Sequence, residues 1–278
     1  MRAMSASDEP GDDGPPHTDP GFLQRMDQQL AGWEQPAARL REALEYDHFR
    51  LYVQPILALR ESAPSAFAEV LVRLREEEAR MLPPGDFLPA FEHFHMMAEL
   101  DRWVVRNALR RLEQRAGVAL SINVSGQTLE EPAFVPFVAM QARMGGIDPA
   151  ALVFEIDEND ALDRRAAAER FAAEIKSIGC RVLIDGFARR SISFEPLKAL
   201  LADFVKVDGA IIRQILASGP ALAKLKAIVR VGEVTEVGVV AECVEEDAVL
   251  ARLRELGVRY VQGFGVGQPQ PIERLFEP

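Results

Sequence analysis

The sequence predicts an α/β protein, with its strands closed into a β/α barrel. Five apolar runs each end on an acid or an amide: Ala119–Asn123, Leu152–Glu155, Arg181–Asp185, Phe204–Asp208 and Val239–Glu242. Short apolar runs of this kind read as buried parallel strands. Strand and helix patterns then alternate in strict order from residue 118 onward, which is the signature of a parallel α/β fold. The count comes to about eight strands, which suits a closed barrel better than an open sheet.

The elements can be taken in chain order. Residues 1 to about 20 are rich in Asp, Pro, Gly and Ser and have almost nothing to bury, so they are expected to be disordered. Residues 21–46 carry helical spacing (Phe22, Met26, Leu30, Trp33, then Leu40 and Leu44), broken near Pro36. Strands are expected at 49–57 and 67–74, and a helix at 83–94 with Pro and Asp in its first turn. In the helix expected at 99–115, Leu100, Val104, Ala108 and Leu112 share one face. The strands that follow are placed at 118–123, 151–156, 181–185, 203–208, 237–242 and 258–264. The helices between them are placed at 132–144, 161–178, 194–201, 209–232 and 245–256. Gly179 and Gly257 stand where helix C-caps belong.

The 278 residues allow one large domain with a tail, or two small domains. A net charge of −11 argues against a broad electrostatic surface for DNA or RNA. It leaves room for a small phosphorylated ligand held by a few local cations or a metal. No run approaches the ~18 uncharged apolar residues of a membrane span, and the acidic N-terminus lacks an apolar signal core, so a cytoplasmic location is expected. The two cysteines, Cys180 and Cys243, read as buried thiols. The four histidines match no metal spacing, and no glycine-rich phosphate loop is present. The acids and amides at the strand ends would converge on one barrel mouth. Oxygen ligands of that type suit Mg²⁺, Mn²⁺ or Ca²⁺. Taken singly, Asn123, Glu155 and Asp185 could equally cap the helices that follow them, and Lys206 could pair with a neighbouring acid.

Eight motifs stand in a particular order: Tyr52-Val53-Gln54-Pro55-Ile56, Glu69-Val70-Leu71-Val72-Arg73, Pro89-Ala90-Phe91-Glu92, Asn123-Val124-Ser125, Glu155-Ile156-Asp157-Glu158, Lys206-Val207-Asp208, Ala241-Glu242-Cys243-Val244-Glu245 and Gln262-Gly263-Phe264. Together they resemble the EAL-domain family of cyclic di-GMP phosphodiesterases, from about residue 40 to 275. The resemblance implies a modified, TIM-like (β/α)8 barrel with one reversed strand, occupying residues 37–278 behind a disordered or partly helical extension at 1–36. Active members hydrolyse one phosphodiester bond of cyclic di-GMP to pGpG, with two divalent metals and a metal-activated water. By motif match, Glu69, Asn123, Glu155 and Asp185 are implied metal ligands. Lys206, Asp208 and Glu242 are implied catalytic residues. Gln54, Glu69, Leu71, Arg73, Asn123, Asp208 and Gln262 are implied ligand contacts.

One segment departs from the family pattern. Where the family reads Asp-Asp-Phe-Gly-Thr-Gly-Tyr-Ser-Ser-Leu, this chain reads Asp185-Gly186-Phe187-Ala188-Arg189-Arg190-Ser191-Ile192-Ser193-Phe194. Gly186 replaces the Asp that helps bind the second metal and offers no side-chain oxygen. Ala188 and Arg190 replace both loop glycines, so the loop is expected to take another backbone path. Glu158, which anchors this loop in the family, is kept. The expected cofactor is therefore Mg²⁺ or Mn²⁺ at a single retained site, with the second metal greatly weakened. The expected function is a cyclic di-GMP receptor or signalling module with weak or no hydrolysis, working through a protein partner or a homodimer. An active phosphodiesterase and a nucleotide-independent scaffold are the alternatives. Arg189 and Arg190 enter the altered loop, and either guanidinium could meet a ligand phosphate.

Overall fold

A computed structural model describes residues 35–275 apart from 60–66, 78–79, 83, 114–116 and 191. The expected N-terminal disorder and the first part of the 21–46 helical pattern lie outside the described residues. The second part forms α1 (Pro36–Glu45), with Pro36 opening the helix where its missing N–H costs nothing. Then come β1 (Phe49–Ala58), β2 (Phe67–Glu77) and β3 (Arg80–Leu82), followed by α2 (Pro84–His93) and α3 (Met97–Leu112). From there β4 (Ala119–Val124), β5 (Leu152–Asp157), β6 (Arg181–Phe187), β7 (Phe204–Val207), β8 (Gly238–Ala241) and β9 (Tyr260–Val261) alternate with helices. A last short strand, β10 (Gln270–Pro271), pairs with β1.

Strands β2, β4, β5, β6, β7, β8 and β9 are joined in parallel, each to the next. Strand β1 closes the ring and runs antiparallel to both β2 and β9. The result is an eight-stranded closed barrel with one reversed strand, as the resemblance implied.

The barrel interior is layered by the two-residue period of its strands. Ile56, Phe67, Val153, Leu183, Phe204, Val240 and Tyr260 pack together as one apolar plug. Three of them form an aromatic triangle, with ring centroids 5.0 Å (Phe67–Phe204), 5.8 Å (Phe67–Tyr260) and 5.7 Å (Phe204–Tyr260) apart. Two residues further along the parallel strands stand Glu69, Glu155, Asp185, Lys206, Glu242 and Gln262. On the reversed strand the step runs backward, from Ile56 to Gln54. The same alternation that buries the plug therefore stacks a polar layer directly on it.

Outside the barrel, a larger core joins strands to helices, and Leu100, Val104, Ala108 and Leu112 of α3 all lie in it. No described helix is long and apolar enough to cross a membrane. Gly179 (φ +96) and Gly257 (φ +80) end their helices in the left-handed conformation that glycine takes without steric cost.

Several expected elements differ. The helix expected at 161–178 is two helices, Glu158–Asp163 and Arg165–Ser177: Asp157 caps an earlier start by accepting from Asn159 N–H at 2.8 Å, and Arg164 leaves the helical conformation (φ −118, ψ 41) between them. The helix expected at 209–232 splits into Gly209–Ile212 and Gly219–Thr235, since Ser218 starts a new helix with Pro220 in its first turn. The strand expected at 258–264 shrinks to β9, because the chain turns at Gly263, whose absent Cβ would meet the Val244 backbone. Cys180 is buried, and burial pushes its thiol pKa up to about 12; Cys243 is only half-buried.

Candidate functional site

Lys206 is the centre of the polar layer. Its ammonium is 2% exposed and donates to Glu155 Oε2 at 2.5 Å and Glu69 Oε2 at 3.0 Å, with Asp185 Oδ1 at 3.5 Å. Glu69 also accepts from Asn123 Nδ2 at 2.9 Å and from Gln262 Nε2 at 2.7 Å. Gln262 reaches Gln54 Oε1 at 3.2 Å, and Gln54 is fixed in turn by donating to the Gly267 carbonyl at 2.9 Å. Seven of the residues singled out from the sequence thus form one connected network at the barrel mouth: Gln54, Glu69, Asn123, Glu155, Asp185, Lys206 and Gln262.

One ammonium faces three carboxylates here, and that imbalance sets the protonation states. Burial alone would lower the Lys206 pKa, but the charges of Glu155, Glu69 and Asp185 outweigh it and hold the pKa well above the ordinary lysine value. For Glu69, burial raises the pKa, but Lys206 and the amide donors Gln262 and Asn123 hold the value below the usual carboxylate range. Glu155 is more deeply buried, and burial followed by the charge of Glu69 pushes it up to about 8. Glu242 is lifted to about 7 by burial and then by Asp185, while its Oε1 accepts from Gly209 N–H at 2.6 Å. That bond ties Glu242 to the residue that follows Asp208.

The donor set fits one hard cation. Glu155 Oε1 and Asp185 Oδ1 are buried acceptors without a hydrogen-bond partner, as is Ser121 Oγ. Ser121 is paired in register with Glu69. Unpartnered carboxylate oxygens beside excess negative charge suit Mg²⁺ or Mn²⁺. Among the described residues no three acidic, His or Cys side chains already converge as a metal cluster, because Lys206 holds these acids around itself.

The remaining expected residues are placed differently. Asp208 makes no contact with Lys206. Its Oδ1 caps the helix after β7 by accepting from Ala210 N–H at 2.9 Å, and its Oδ2 accepts from Arg189 Nε at 2.9 Å. Arg73 lies along the rim, its guanidinium 5.6 Å from the Tyr52 ring centroid, and Leu71 is half-buried between Arg73 and Glu69 on the same strand face.

The altered loop holds a feature that the sequence reading missed. Ala188 adopts the left-handed conformation (φ +67) although it is not glycine. Glu158 explains how: its carboxylate, on a 2% exposed side chain, accepts from the N–H groups of Ala188 (2.8 Å), Arg189 (3.0 Å) and Arg190 (3.4 Å). Backbone donors do not depend on side-chain identity, so the anchor works without the loop glycines. The strain of a left-handed alanine, about 1–2 kcal/mol, is offset by these charge-assisted bonds.

The EAL domain family model matches residues 37–269. The chain belongs to the EAL domain family. It is 32% identical over 245 residues to the cyclic di-GMP phosphodiesterase PdeB of Shewanella oneidensis, covering 87% of this chain and 29% of that protein. To the cyclic di-GMP phosphodiesterase PdeF of Escherichia coli it is 31% identical, covering 84% of this chain and 32% of the other. The chain therefore spans about a third of the length of these curated relatives. Among solved EAL structures, the FimX EAL domain of Pseudomonas aeruginosa bound to c-di-GMP superposes with a TM-score of 0.78 at 28% identity, covering 85% of this chain and 96% of that one. The PaMucR phosphodiesterase in complex with c-di-GMP gives the same TM-score and identity, covering 87% of this chain and 99% of the other.

Proposed function

We propose that this EAL domain binds cyclic di-GMP as a receptor or signalling module and hydrolyses it slowly or not at all. The carrying observation is the asymmetry of the mouth. On one side the acid, amide and lysine network is complete. On the other, Gly186 contributes no oxygen, and Asp208 is already committed to Arg189 and a helix N-terminus. One divalent cation, Mg²⁺ or Mn²⁺, would be held by Glu69, Asn123, Glu155 and Asp185. Such a cation would polarise a phosphoryl oxygen or a bound water. Lys206 would keep the acids apart and present its charge to the same anion. Gln54 and Gln262 would orient the ligand through their amides, with Leu71 and Arg73 further along the β2 face. Loss of a catalytic ligand commonly lowers rate by about 10²–10⁴, while ground-state affinity depends on contacts made earlier in the reaction.

An active phosphodiesterase giving pGpG is the second reading, favoured by the Glu69–Lys206 network and by the names of the curated relatives. Calorimetric titration of cyclic di-GMP, once in excess EDTA and once in Mg²⁺, separates the two. Saturable heat that returns to baseline, with no pGpG formed, is expected. Sustained heat and pGpG in Mg²⁺ would establish the enzyme instead. If neither condition shows binding and a direct binding assay agrees, the receptor reading is wrong and the scaffold alternative stands.

A further inference from the structure

Arg189 and Arg190 are adjacent, yet the fold sends them to different places. Arg190 turns outward and pairs with exposed Asp163, at 2.9 Å and 3.0 Å. Arg189 folds back over the mouth. Its Nε donates to Asp208 and its Nη1 to Asp157, both at 2.9 Å. These bonds, that to Asp208 above all, raise the guanidinium pKa further, so it is a permanent cation.

The position it occupies depends on Gly186. That residue is buried with φ +64, and a Cβ built on it would meet Arg189 Nη2 first and lie 2.6 Å from Cζ. Any side chain at 186 would displace the guanidinium. Gly186 and Arg189 therefore act as a pair: one vacates the space and the other fills it with fixed positive charge. With no oxygen at 186 and a cation already there, these residues do not fit a divalent ion on this side of the mouth.

The guanidinium still has capacity. An arginine carries five N–H donors, and Asp208 and Asp157 use two of them, leaving Nη2 and the second hydrogen of Nη1 available. Its side chain is 42% exposed, with Nη2 lying against Gly186 and the rest of the guanidinium edge at the surface of the loop. Asp208 stands two residues beyond Lys206, and Asp157 two residues beyond Glu155 on β5, so the guanidinium bridges the ends of two strands that carry the Lys206 network.

We propose that Arg189, seated in the space left by Gly186, is a protein-borne cationic subsite for one phosphodiester of the ligand. It does so without metal, and it rests on the cyclic di-GMP reading above. The two carboxylates more than offset its single charge, so the subsite acts through its remaining N–H donors; they also fix its plane, so little side-chain freedom is lost when a phosphate docks.

The test is cyclic di-GMP affinity in excess EDTA for the wild type, R189A, R189Q and R190A, with each variant checked by thermal melting. The wild type is expected to bind in EDTA. R189A should weaken binding about 10- to 100-fold, the range of a lost charged hydrogen-bonding partner. R190A should stay within about twofold of wild type. If R189A does not fold, R189Q, which keeps one donor for Asp208, decides. A folded Arg189 variant that binds like wild type overturns the subsite. So does a wild type that binds only in Mg²⁺, though that outcome leaves the receptor reading standing. A wild type that binds in neither condition overturns both.

Discussion

Replacing Lys206 by Met removes the one positive charge at the centre of a buried acidic layer. The ammonium is 2% exposed and touches Glu155 and Glu69, with Asp185 close by. Methionine fills much of the same volume, so the change is chiefly electrostatic. Breaking a buried pair by removing one partner costs about 3–5 kcal/mol. In a domain of this size each kcal/mol shifts Tm by about 2–4 °C, so K206M should melt roughly 10 °C below wild type in EDTA at pH 7. The penalty should depend on pH with a definite sign. Glu155 already titrates near 8, above its unfolded value, and removing the ammonium raises the cluster's pKa values further. A carboxylate whose folded pKa is raised destabilises most above that pKa, and the cost fades as pH falls. K206M should therefore recover stability relative to wild type between pH 9 and pH 6. Adding E155Q should restore part of the loss, as a double-mutant cycle would measure. Mg²⁺ should raise the Tm of K206M more than that of wild type, since a divalent ion can stand in for the ammonium. The assay is thermal melting followed by circular dichroism at several pH values. If K206M in EDTA melts within about 2 °C of wild type, Lys206 does not hold these acids together.

Two further outcomes are expected. E158A removes the acceptor of three loop N–H groups, so it should cost about 2–4 kcal/mol and speed amide hydrogen exchange at residues 188–190; unchanged protection there would refute the anchor. Asp101 is buried against Ser125 and Thr128, and burial lifts its pKa to about 6 from an unfolded value of 3.8. The folded state then binds a proton earlier than the unfolded chain, so stability from this group rises as pH falls from 7 to 4. Wild type should gain about 3 kcal/mol over D101N across that window in urea titrations, and equal pH profiles would show that Asp101 is not strained by burial.

The barrel was legible because its strands obey two patterns at once: apolar runs for burial, and a polar residue two positions beyond each inward apolar one. Glu155 and Asp185 stand out as the acids that end apolar runs, whereas Glu69 and Lys206 emerge only from motif order. Helix breaks were less legible, although Ser218 and Pro220 carried a start signal within the helix expected at 209–232. The loop is harder to read. Loss of its glycines predicts a changed path, and local sequence does not reveal that Ala188 takes a left-handed backbone with its N–H held by Glu158 from another segment. Nor does it reveal that Asp208, expected on the metal and water side, pairs with a long arginine from a different loop. A side chain with that much reach is positioned by tertiary contacts, and nothing in local spacing distinguishes Arg189 from Arg190.

Strand β2 also has a metric consequence. It continues past the ring to pair with β3, and Glu69, Leu71 and Arg73 lie on one of its faces. Each two-residue step along a strand advances about 6.6–6.8 Å, so the backbone positions of the floor acid and the rim arginine are roughly 13 Å apart. Main-chain pairing with β1 across Gln54–Glu69 and Arg50–Arg73 keeps that interval from stretching. The backbone thus sets the interval from which the two side chains reach, and a molecule meeting both must span that interval less their reach.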